Sequence, residues 1–183
     1  VDLPRVNARV KTLARAQSED IAARLAKEGI QVVRGVGRLD GRRRVVATLP
    51  AGGEEAFDDD VVLVSTGAAP RVLPDSLPDG ERILTWTQVY ALEELPERLV
   101  VVVSGVTGAE FASGYQALGS QVTLVSSRER VLPGEDADAA RVLEDVFRRR
   151  GMTVLSQSRA AGVGRTASGV SVSFTDGRVV EGS

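Results

Sequence analysis

A chain of 183 residues with a formal net charge of −2 has room for one domain or two small ones, and no charge excess to draw it to nucleic acid or an anionic membrane. Hydrophobic residues make up 43% and charged residues 26%, an ordinary globular balance, and no apolar run nears the roughly 20 residues that would span a bilayer. The absence of Cys and His excludes disulfides, thiolate chemistry and the commonest metal ligands and neutral-pH base, so no catalytic side-chain set and no metal site is expected, and a bound cofactor or a segment outside this sequence must carry most of the chemistry.

The first 30 residues read as one amphipathic helix. Pro4 suits its first turn, Leu3, Val6, Val10, Leu13, Ile21 and Leu25 recur on one face, and Gly29 stops it. A β meander follows, with strands at Ile30–Val36 and Arg44–Leu49 around an Asp40–Gly41 turn, and a second turn at Ala51-Gly52-Gly53. Val61–Ser65 reads as a buried strand running into Thr66-Gly67-Ala68-Ala69-Pro70. The Pro-rich stretch from Pro70 to Gly80 reads as a linker, and Thr85 or Thr87 as the cap of a short helix through Leu92.

From Leu99 strand and helix alternate. Leu99–Ser104 has the unbroken apolar character of a strand buried on both faces, and Ala109–Leu118 is a helix that Gly119 ends. Gln121–Val125 is a second strand. Asp136 or Asp138 caps a helix with a buried stripe of Ala139, Val142, Leu143, Val146 and Phe147, stopped by Gly151. Met152–Leu155 is a third strand, and Val170–Phe174 and Arg178–Val180 form a hairpin through Asp176–Gly177.

A strand, a glycine-rich turn and a helix in succession form the context in which a glycine motif points to a dinucleotide. Gly105-Val106-Thr107-Gly108 occupies that turn. Gly105 lets the backbone approach a pyrophosphate, Gly108 lets the helix pack on the strand, and the helix N-terminus stabilises the phosphate charge. The first glycine of the fingerprint is replaced by Val103, so the turn must close without a residue that tolerates positive φ; a tight βα turn with no ligand is the competing reading. Where NAD enzymes place an acid on the adenosine ribose this chain has Ser126 and Ser127, with Arg128 and Arg130 following, a pattern that favours NADPH over NADH. The arginines also read as a solvated loop, with Glu129 between them able to neutralise one.

The segments VVLVSTGAAPR at Val61–Arg71, LPERLVVVVSGVTGAEFA at Leu95–Ala112, LGSQVTLVSSRERVLP at Leu118–Pro133 and DADAARVLEDVFRRRG at Asp136–Gly151 resemble, in order and spacing, the flavoprotein family of dihydrolipoamide dehydrogenase and glutathione reductase. Within it, VSGVTGAEFA, the Ser-ended second strand and LPGEDADA are similar to actinobacterial NAD(P)H-quinone reductases.

The resemblance covers essentially the whole chain and implies an α/β fold. A Rossmann-like NAD(P)-binding domain, built of a parallel sheet and an antiparallel meander, would follow the later helix-and-meander part of an FAD-binding domain. The implied division is 1–74 for the FAD part, 75–98 for a linker with a short helix, and 99–183 for the NAD(P) domain without its last strand. The resemblance further implies FAD and NADP (or NAD) as cofactors and a quinone or disulfide as acceptor. It also implies a homodimer of the intact, cytoplasmic protein.

By the same resemblance Thr66 and Gly67 lie near the flavin and Gly105 and Gly108 at the pyrophosphate. Glu110 lies near the nicotinamide, paired with a lysine of the FAD domain, and Arg128 and Arg130 select the cofactor. Glu110 also reads simply as a carboxylate favoured by the helix dipole. A chain with only these parts is expected to be inactive alone. The alternatives are a degenerate or regulatory NAD(P)-binding module without catalysis, and a purely structural fragment.

Overall fold

The computed structural model describes residues 1–183, and the chain divides into two units, one formed by Val1–Ala8 with Pro70–Ser183 and the other by Arg9–Ala69. The first helix, α1, runs Leu3–Lys27. It ends where Gly29, at φ 71°, lets its own N–H reach Ala26 O (3.1 Å) and the N–H of Ile30 reach Leu25 O (2.9 Å). That paired closure satisfies carbonyls the helix leaves open, and it needs a left-handed residue. Two later helices end the same way, at Gly119 and Gly151.

Within the Arg9–Ala69 unit three strands, β1 (Val36–Leu39), β2 (Arg44–Thr48) and β3 (Glu54–Asp58), form an antiparallel meander in the order β1-β2-β3. The Asp40–Gly41 and Gly52–Gly53 turns stand as expected. Two expectations fail here. Ile30–Gly35 is not paired, the strand beginning only at Val36, and Val61–Ser65 is neither a strand nor buried, with Val61 83% and Leu63 87% exposed. A strand exists only through a hydrogen-bonded partner, and neither segment has one in this chain. β3 has the opposite history: Glu54-Glu55-Ala56-Phe57-Asp58 is a poor strand by composition, yet β2 templates it, with Arg44 opposite Asp58 and Phe57 opposite Val45. The α1 stripe beyond Ala8 stays open too, at Val10, Leu13 and Ile21.

The larger unit is layered. α2 (Trp86–Val89) follows its N-cap Thr85, whose N–H donates to Gln88 Oε1 at 2.8 Å. β4 (Arg98–Val102), β5 (Gln121–Val125) and β6 (Thr153–Leu155) form a parallel sheet in the order β4-β5-β6. The intervening helices are α3 (Val106–Leu118) and α4 (Ala137–Arg149). β7 (Ala160–Arg165), β8 (Val170–Phe174) and β9 (Val179–Gly182) form an antiparallel sheet.

The period-2 alternation of the parallel strands decides what lies on each face. Leu99, Val101, Val122, Leu124 and Val154 pack with Ala112, Tyr115 and Phe147 of the helices, and Leu3 joins them. Val100, Val125 and Leu155 pack instead on Val172, Phe174 and Val163 of the antiparallel sheet. β7 was not expected, since Ala160-Ala161-Gly162-Val163-Gly164-Arg165 carries two glycines; β8 supplies its ladder and a bulge at Ala160/Gly162 absorbs the misfit. Residues 70–80, expected as a linker, belong to the larger unit, where the N–H of Val163 donates to Asp75 O (2.9 Å).

Asp79 organises the next turn. One carboxylate oxygen accepts from the N–H groups of Glu81, Arg82 and Ile83, each at 2.9 Å, and Arg165 lies 3.4 Å from the other oxygen. Partial burial opposes the charge, but those N–H groups and Arg165 outweigh it and bring the Asp79 pKa down to about 2.

Candidate functional site

The glycine turn is tighter than its sequence implied. Helix α3 begins at Val106, so only Gly105 lies outside it, as the N-cap, and Val106, Thr107 and Gly108 form the first helical turn. The first intrahelical bond from beyond the cap is Ala109 N–H to Gly105 O, at 3.0 Å. A glycine cap has no side chain to satisfy the N–H groups of Val106, Thr107 and Gly108 that follow it, so these are open to an anion, with the positive end of the helix dipole behind them.

A Cβ built on Gly108 would stand 2.2 Å from Val103 O and 2.6 Å from Val103 Cγ1, so the glycine is what lets α3 lie against the end of β4. A Cβ on Gly105 would meet nothing within 4 Å, which leaves the approach to the backbone there clear. Val103 does not adopt positive φ, so the turn closes without the missing glycine. Glu110 sits on the exposed side of α3 and makes no salt bridge within the chain.

The loop after β5 forms a second wall. Ser127, Arg128, Glu129, Arg130, Pro133, Gly134 and Gln157 line an open concavity of about 600 Å³. Two guanidinium groups against one carboxylate leave it net positive. The Arg130 Nε is buried without a hydrogen-bond partner, a desolvated donor that an anion nearby would compensate electrostatically. Asp136 stands at the far end of this loop as the N-cap of α4, accepting from Asp138 N–H and Ala139 N–H at 3.0 Å each. Those two N–H groups, with Arg130 and Arg141 nearby, hold its carboxyl below the usual range despite a small opposing effect of burial.

Ser126 is placed differently from its neighbours. It is 1% exposed, and its hydroxyl accepts from Ser104 Oγ (2.7 Å) and Arg128 N–H (3.1 Å) while donating to Arg130 O (3.0 Å). It faces inward, with Ser127 exposed beside it. The serine pair also joins the two walls, because Ser104 immediately precedes Gly105 and its carbonyl accepts from Leu132 N–H at 2.8 Å. Thr66 and Gly67 belong to the Arg9–Ala69 unit; both are exposed, and Gly67 has φ 71°.

Sequence reasoning missed Ser104, Gln157 and Glu144. The α4 stripe is rotated from its expected position: Ala140, Glu144 and Phe147 are buried, whereas Ala139 and Val142 are exposed. Glu144 accepts from Val131 N–H (3.0 Å) and Ser156 Oγ (3.3 Å), and pairs with Arg148 at 2.5 Å. Only the Glu144–Arg148 spacing of four residues was a local signal.

Set beside known proteins, residues 3–183 match the family model described as pyridine nucleotide-disulphide oxidoreductase. The chain is 54% identical over 189 aligned positions to an NAD(P)H dehydrogenase (quinone) of Mycobacterium tuberculosis, matching along 100% of its own length and 38% of that protein's. It is 35% identical to a dihydrolipoyl dehydrogenase of Chlorobaculum tepidum, with the same coverage of 100% and 38%. The crystal structure of LpdA from Mycobacterium tuberculosis superposes with a TM-score of 0.88 at 54% identity, over 100% of this chain and 41% of that one. The chain thus spans about two-fifths of the length of the relatives it matches.

Proposed function

Because this chain belongs to the pyridine nucleotide-disulphide oxidoreductase family, we propose that residues 99–183 are an NAD(P)-binding domain that takes NADPH in preference to NADH. The observation that carries the reading is the pairing of an uncapped α3 N-terminus with a net positive concavity at Ser127, Arg128 and Arg130. The N–H groups of Val106, Thr107 and Gly108 bind the pyrophosphate, and Gly105 keeps its approach clear. Arg128 and Arg130 take the 2′-phosphate, for which a guanidinium fork is suited, and Ser127 adds a hydroxyl. Ser126 serves the cofactor by shaping the loop.

Residues 1–74 are the later part of an FAD-binding domain, with Thr66 and Gly67 beside the flavin, and 75–98 connect the two domains. The change of unit between Ala69 and Pro70 supports a division in that region. Glu110, exposed and unpaired within the chain, lies beside the nicotinamide and takes a lysine partner from the FAD domain. When bound, the two cofactors supply hydride transfer from nicotinamide to flavin, and the intact enzyme delivers the electrons to a quinone or a disulfide. The protein's share is positioning. In the same reading the intact protein is a cytoplasmic homodimer; no helix here is long and apolar enough to cross a membrane.

Calorimetric titration of the full-length protein with NADPH and NADH tests this. NADPH is expected to bind about tenfold more tightly, the worth of roughly one charge-assisted contact, and R128A/R130A to erase the difference. Equal affinities in the parent protein would overturn the NADPH preference. Failure of a folded protein to bind either would favour the non-catalytic module, a reading that rests on Val103 in place of the first glycine. NAD(P)H-dependent quinone reduction by the full-length protein tests the reaction.

A further inference from the structure

The loop carrying Ser127, Arg128 and Arg130 is held from behind by side chains that face away from the concavity. We propose that Ser104, Ser126 and Glu144 are positioning residues that lock this loop in register with the Gly105 turn, so that discrimination between nucleotides depends on a buried hydroxyl pair and a buried carboxylate. This rests on the NADPH reading above.

The tie points fall on or directly beside the two arginines. The Ser126 hydroxyl takes the Arg128 N–H and gives its proton to the Arg130 carbonyl, fixing the backbone on either side of Glu129. Its one proton is then committed, so Ser104 must be the donor of the 2.7 Å bond between the hydroxyls. Glu144 takes the N–H of Val131, and the Ser104 carbonyl takes the N–H of Leu132. Leu132 stands at φ 51°, a conformation that a non-glycine residue keeps only when its surroundings impose it.

Both serines and Glu144 are buried. A carboxylate at that depth is costly unless each oxygen is paired, and here both are, through Val131, Ser156 and Arg148. The arginine side chains themselves have no salt-bridge partner, so the backbone beneath them is what aims them. Phosphate recognition by a fork tolerates errors of only about 0.5 Å and 10–20°.

The test uses the full-length protein, its S126A, E144Q and S104A/S126A variants, and two probes, 2′,5′-ADP and 5′-ADP, titrated by calorimetry. For S126A and E144Q the affinity for 2′,5′-ADP is expected to fall about tenfold while that for 5′-ADP moves less than about twofold, since only the phosphate fork is displaced. S104A is expected to add nothing on top of S126A, because both remove the same bond.

Amide hydrogen exchange gives a second readout that needs no ligand. Exchange is expected to quicken at residues 128–132 and stay unchanged in the β5 and β8 amides. Equal loss for both probes, unchanged affinity for both, or faster exchange throughout the domain would each overturn the proposal. If the parent protein shows no preference for 2′,5′-ADP, the NADPH reading itself fails, and that is visible before any substitution is made.

Discussion

Two apolar segments of nearly the same composition meet opposite fates. Leu99-Val100-Val101-Val102 supplies most of β4 and pairs residue for residue with β5, with Leu99 and Val101 packed on one face and Val100 on the other. Val61-Val62-Leu63-Val64 forms no strand, and its side chains are largely exposed. The contrast extends to their units. Arg9–Ala69 buries only Val46 and Ala47 among its hydrophobic side chains, while the larger unit encloses a core from Leu3 through Ala112, Leu124 and Phe147. Apolar composition makes a segment able to become a core strand. A partner strand within reach is what makes it one.

That contrast can be broken by substitution. Leu124, 0% exposed in the middle of β5, is expected to cost about 2–5 kcal/mol of unfolding free energy as Leu124→Ala in chemical denaturation. Gly108→Ala should follow at about 1–3 kcal/mol, because the added Cβ must drive α3 away from Val103 O. Gly105→Ala, with open space at its Cβ, should leave the unfolding midpoint in place and lower nucleotide affinity, which calorimetry would read.

Asp79→Asn is expected to be milder and visible only in its pH dependence. The Asp79 pKa is depressed to about 2 from 3.8, so its stabilising effect is complete above about pH 4 and disappears as the pH falls through 2. Acid unfolding of D79N followed by circular dichroism should therefore be flatter across that window than that of the parent. Leu63→Ser should cost little stability, within about 0.5 kcal/mol in this chain, since the side chain buries almost nothing. A large loss there would show that Val61–Val64 is covered after all.

Local chemistry was legible from residues alone. Gly29, Gly119 and Gly151 stop their helices, Gly41 and Gly177 form turns, and β5 runs over the expected Gln121–Val125; of the two candidate caps at each helix start, the structure selects Asp136 over Asp138 and Thr85 over Thr87. Each depends on a residue's own backbone preference or on neighbours within about four positions. The same locality made the Gly105–Gly108 turn and the arginine loop visible as a candidate site.

What tertiary structure alone decided depends on partners far along the chain. β3 and β7 exist because β2 and β8 offer them a ladder, against their own composition. Glu144 is buried because Val131, 13 residues away, needs an acceptor, and Ser126 turns inward because Ser104, 22 residues away, meets it. A buried polar group is stable only where its partner stands, and periodicity in a sequence carries no record of that distance.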